Sequence, residues 1–112
     1  FYAPEQFPEW PQKYEKLLYH KGFANALIST QKNLTTMDEI HQTIDSLELP
    51  VYAFWGVHDK VVVYTDFDKK LNKLLPNKKE YFIEEAGHLP HMENKKVFED
   101  YFMYSLQEVI SE

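Results

Sequence analysis

The chain contains no cysteine. That excludes a disulfide framework and any thiolate-ligated zinc site, and it fits a reducing compartment, here expected to be the cytoplasm. No apolar run approaches the roughly 18 residues that a membrane-spanning helix requires, so no membrane span is expected. The opening residues, Phe1-Tyr2-Ala3-Pro4-Glu5, offer neither a basic stretch nor an apolar core of the signal-peptide kind. They also lack an initiator methionine, and the expectation is a processed product or a piece of a larger protein. There is no basic block either. Eighteen acidic and twelve basic residues give a net charge of −6. Nucleic acid and anionic membrane surfaces are therefore not expected partners. Glycine occurs only at positions 22, 56 and 87, and no repeat or low-complexity segment is present.

What is present is a globular composition. The 112 residues correspond to about one domain. Apolar residues make up 44% and aromatic residues 16%, enough to argue against disorder. Pro11 suits the first turn of a helix, and Trp10, Tyr14, Leu17 and Leu18 fall on one helical face. Gly22 is a natural stop. Phe23, Ala26, Leu27 and Thr30 continue as a second helix. Met37, Ile40, Ile44 and Leu47 mark a third, opened by a capping box at Thr36 and Glu39.

The pattern changes at Pro50. Val51-Tyr52-Ala53-Phe54-Trp55 is a continuous apolar run ended by Gly56, as expected of a strand covered on both faces in a parallel sheet. Thr65 and Asp68 predict a second capping box, with Phe67, Leu71, Leu74 and Leu75 lining the helix it opens and Pro76 ending it. Residues 80–84 predict another strand. From Met92 onward, Phe98, Tyr101, Phe102, Leu106 and Val109 predict a final helix. Strand, helix, strand in that order implies a parallel pair with a right-handed crossover. The fold class is therefore α/β.

Parallel strands direct their carboxyl ends to one edge, where open α/β sheets build their sites. Just past the first strand stands "GVHDK", with Asp59. Just past the second stands "AGHLPH", with His88. A carboxylate beside an imidazole fixes its tautomer and stabilises the imidazolium that forms when the ring takes a proton. The same two residues could equally be solvated loop side chains. Val61 and Leu89 flank the pair and could line an acyl or leaving-group pocket, or simply pack. His88, His91 and His58 cluster in sequence, but Pro90 breaks any helix between His88 and His91, and no metal site is expected. Asp66 and Asp68 compete for the acid's role; their place at a helix N-terminus has an ordinary explanation in the helix dipole.

"LPVYAFWGVHDKVV", followed about thirty residues later by "EEAGHLPHMEN", resembles the C-terminal part of the α/β-hydrolase superfamily. The resemblance covers residues 49 to 110. It implies that Asp59 is the catalytic acid and His88 the catalytic base. It also implies that residues 1–48 are the tail of a helical cap or lid and a linking helix, and residues 49–112 the C-terminal β-α-β-α part of the core. Val63 stands where many members have proline. The family's G-x-S-x-G nucleophile elbow is absent, and Ser29, Ser46, Ser105 and Ser111 all fall in or beside helical patterns. The resemblance thus implies a C-terminal fragment of a serine-type hydrolase that cleaves an ester, amide or similar bond in a small, fairly apolar substrate. No cofactor is implied. The partners expected are the small-molecule substrate and either the remainder of the hydrolase or a self-associated copy. The rival readings are a haloalkane dehalogenase, an epoxide hydrolase or a C–C hydrolase of the same superfamily, or a non-catalytic interaction or regulatory module.

Overall fold

Proline and glycine set most of the element boundaries. In the computed structural model, which describes residues 1–111, six α-helices accompany a two-stranded parallel sheet. The architecture is α/β. The described residues divide into two compact units, one formed by residues 4–37 and the other by residues 1–3 with those from 38 onward.

The smaller unit is helical. A single 3-10 turn spans Pro4–Gln6. Helix α1, Trp10–Leu18, has Pro11 in its first turn, where the missing amide hydrogen costs no intrahelical bond. Gly22 separates it from α2, Phe23–Lys32. Its φ of 88° is a left-handed conformation that a Cβ would oppose, and open space surrounds it. The rings of Tyr14 and Phe23 meet edge to face at 6.4 Å.

The larger unit is built on the parallel pair. Strand β1, Tyr52–Gly56, runs alongside β2, Lys79–Ile83, with Tyr52 opposite Lys79 and Gly56 opposite Ile83. Helix α3, Asp38–Ser46, precedes the sheet and is tied to α4, Tyr64–Leu74, by the Lys70–Asp38 ion pair at 2.7 Å. After β2 come a short helix α5, Pro90–Glu93, and the long α6, Lys95–Ser111.

Strand alternation sorts the side chains onto two faces. On one face Tyr64, at the start of α4, inserts between Trp55 and Phe82, with ring centroids at 5.2 and 4.9 Å. The same face holds a polar cluster. Trp55 Nε1 donates to Glu80 Oε2 at 2.8 Å, and Lys78 Nζ pairs with Glu80 Oε1 at 2.9 Å and donates to Asn72 Oδ1. With its side chain only 4% exposed, Lys78 must be paired, and it is. On the other face α6 lays Phe98 and Phe102 against Phe54, at 5.2 and 6.2 Å, and Tyr101 against Tyr81 at 5.0 Å. Each such aromatic pair contributes about 0.5–1.5 kcal/mol beyond the area it buries.

Three details depart from the sequence-based expectation. Helix α4 begins at Tyr64 with Val63 as its N-cap, and no side chain caps it. The Thr65–Asp68 box does not form because Tyr64, anchored between two rings, draws the first turn one residue earlier, and Asp68 Oδ1 instead accepts the Lys69 amide at 2.7 Å. Among the described residues of α6 only Ser105, 4% exposed, is buried; Leu106 and Val109 lie about 40% exposed, as does Phe102. Ser105 follows Phe98, Tyr101 and Phe102 at helical spacing, and its small side chain lets the helix approach the sheet. Residues 52–55 of β1 are half-buried, not fully covered. β1 pairs on one edge only among the described residues. The core is correspondingly thin. Leu74, Leu75, Ile83 and Ala86 are buried, and of these Ile83 and Ala86 are completely so.

Candidate active site

The two loops that leave the carboxyl ends of β1 and β2 are stitched together by backbone. Val57 N donates to Ile83 O at 3.0 Å, and His58 N donates to Ala86 O at 2.9 Å. Gly56 makes this approach possible. A Cβ at position 56 would sit 1.9 Å from the Gly87 carbonyl oxygen and 2.7 Å from that of Ala86, and both obstacles are main chain. Glycine here serves close contact between two chain segments, not an unusual turn.

With the loops joined, the structure brings Asp59 and His88 together. His88 Nδ1 lies 3.0 Å from Asp59 Oδ2. The other oxygen, Oδ1, accepts the amides of Val61 at 2.8 Å and Val62 at 3.0 Å. An aspartate that accepts the amides two and three residues ahead closes its own turn, so the loop aims the carboxylate. An ionised carboxylate can only accept, so in the neutral ring Nδ1 is the protonated nitrogen and Nε2 carries the lone pair. The Asp59 side chain is 10% exposed and that of His88 is 45% exposed. A screened acid thus backs an imidazole open to solvent. Burial, the largest single influence, pushes the Asp59 carboxyl upward. The amide of Val62, the His88 ring, the amide of Val61 and the charge on His88 together outweigh it, so the group is held below its ordinary value of 3.8.

The neighbouring residues take simpler places. Val61 is 71% exposed and acts through its amide. Leu89 is half-buried and is the N-cap of α5. Val63 has φ −73°, within the range of a proline ring, so valine keeps the backbone a proline would impose. His58 is exposed, with the Tyr2 ring stacked on it at 4.4 Å. His91 lies on α5 with its ring 6.1 Å from that of Phe98. Asp66 stands in the first turn of α4. No group of three metal-ligating side chains converges among the described residues.

A cleft of about 210 Å³ opens beside Asp59, with Trp55, Val57, Val63, Tyr64 and Phe82 in its wall. A larger one, about 280 Å³, lies where the strands begin, between Glu48, Pro50, Tyr52 and Lys79, at the far end of the sheet from His88. Of the two, the smaller is the one whose wall includes Asp59. Sequence reasoning passed over Glu93, whose carboxylate bonds the amides on either side of His88. The available signal was an acid four residues after Leu89, across a turn opened by Pro90. No family model, curated protein or solved structure matches the chain.

Proposed function

We propose that Asp59 and His88 are the acid and base of a serine-type α/β hydrolase acting on an ester, amide or similar bond of a small, fairly apolar substrate. The observation that supports this reading is the 3.0 Å contact between His88 Nδ1 and Asp59 Oδ2, made between loops that follow adjacent parallel strands. In the reaction His88 Nε2 takes the proton of a hydroxyl nucleophile as that oxygen attacks the substrate carbonyl. The imidazolium, held by Asp59, then returns the proton to the leaving group.

The nucleophile is assigned to a segment outside these 112 residues. Ser46, Ser105 and Ser111 each donate to a carbonyl of their own helix, and Ser29 lies on α2 with Asn33 against it. The apolar wall of the cleft beside Asp59, with Trp55, Val57, Val63 and Phe82, fits an acyl or alkyl group.

The test is hydrolysis of a nitrophenyl ester by the full protein. His88→Ala should abolish turnover. Asp59→Asn should lower kcat by about 10³- to 10⁴-fold with little change in KM, because the amide no longer selects the tautomer. Undiminished turnover in His88→Ala, together with a lowered unfolding midpoint, would reduce the pair to a brace between two loops.

A further inference from the structure

Among the described residues, Glu93 is an acid that accepts three backbone amides. Its Oε2 accepts two backbone amides, Gly87 N and Leu89 N, each at 3.0 Å. Its Oε1 accepts a third, Tyr2 N. The first two amides straddle His88. Gly87 N belongs to the peptide that enters the His88 arc, and Leu89 N to the peptide that leaves it. With both peptide planes held by one oxygen, the short arc from which the imidazole projects has little freedom left.

Local sequence explains how the carboxylate reaches them. Pro90 starts the short helix α5, and Glu93 N donates to Leu89 O at 3.0 Å, so the Glu93 side chain returns toward the start of its own turn. It satisfies the N-cap amide as the acid of a capping box does, one residue later than usual. Gly87 is matched to this arrangement. A Cβ there would lie 3.3 Å from Glu93 Oε2 and 3.1 Å from Tyr2 N, crowding both partners. Asn94 closes the same loop at its beginning, donating through Nδ2 to Glu84 O at 2.9 Å.

We propose that Glu93 is a positioning residue for His88: its carboxylate gathers three amides and thereby holds the imidazole in register with Asp59. The catalytic meaning of this role rests on His88 being the base, but the role itself can be read without turnover. Two variants separate acceptor geometry from general stability. In Glu93→Gln a single oxygen remains. It can keep Gly87 N and Leu89 N, while the new NH2 faces the Tyr2 N–H and donor meets donor. In Glu93→Ala all three amides lose their acceptor.

The measurement is NMR on the full protein, following the His88 Nδ1–H resonance and the hydrogen exchange of the three amides. Glu93→Gln should keep the Nδ1–H signal and the protection of Gly87 and Leu89, with protection of Tyr2 falling at least about tenfold, as expected for loss of a charge-assisted bond. Glu93→Ala should lose protection at all three amides and broaden the Nδ1–H signal. In the ester assay, kcat should fall in Glu93→Ala and largely return in Glu93→Gln, with KM little changed in either. An unaltered Nδ1–H signal in Glu93→Ala would overturn the proposal. So would loss of that signal in a folded Glu93→Gln, which also decides the matter if Glu93→Ala does not fold. Failure of the hydrolase reading shows separately, as undiminished turnover in His88→Ala.

Discussion

Asp59 engages both of its oxygens, one with His88 and one with the amides of Val61 and Val62. The same bonds that aim it also keep it ionised, which gives a prediction at the residue scale. A carboxyl held below its ordinary value stabilises the fold at every pH above the unfolded value of 3.8. That contribution disappears as pH falls through the depressed folded value. Asp59→Asn should therefore lower the unfolding midpoint most above pH ~5, and the two midpoints should converge in acid. Thermal unfolding of both proteins from neutral pH down to pH ~2 checks it. A constant gap across that range would mean that Asp59 is not held ionised by these partners. The pairing of Asp59 with His88 was legible in the sequence because each comes within a few residues of the end of an apolar run, shortly after a glycine. Glu93 was not. Capping signals are sought as a hydroxyl followed three residues later by an acid, whereas here no hydroxyl takes part and the acid reaches back across four positions to Leu89 and six to Gly87.

At the scale of elements, the site depends on how closely the end of β1 meets the loop after β2. Gly56→Ala would drive a methyl into the Gly87 carbonyl, and main chain cannot step aside as a flexible side chain can. The expected loss of stability is at or above the upper end of the about 1–3 kcal/mol typical of overpacking. Separation of Asp59 from His88 should accompany it. Chemical denaturation together with the His88 Nδ1–H resonance tests both parts, and a Gly56→Ala protein of normal stability with that resonance intact would refute the close-contact argument. The elements themselves were readable where local chemistry and packing agree, as at Pro50 before β1 and Gly22 between α1 and α2. They were misread where a long-range contact prevails. Tyr64 starts α4 earlier than Thr65 and Asp68 suggest, because Trp55 and Phe82 hold its ring. Ser105 is the buried residue of α6, and a search for large apolar side chains passes over it. In both places partners far away in sequence decide, and periodicity carries no record of them.

At the scale of the whole chain, the larger unit rests on two parallel strands. Such a pair is marginal in water without further strands or fuller cover. β1 presents an unpaired edge among the described residues, and Phe82 is 42% exposed on β2. Unpaired edges beside apolar surface favour pairing with another chain. The 112 residues by themselves should therefore sediment as concentration-dependent oligomers, measured by velocity runs over about a hundredfold range of concentration, since association follows mass action. A single monomeric boundary at every concentration, with cooperative unfolding, would contradict this. The two tryptophans fall one to each unit, Trp10 on α1 and Trp55 on β1. Trp55 has its indole N–H on the Glu80 carboxylate and its ring in the wall of the cleft beside Asp59. The molecule thus carries a built-in optical probe at its proposed site. With Trp10→Phe as background, the emission of Trp55 reports ligand entry and local melting directly, with no label added.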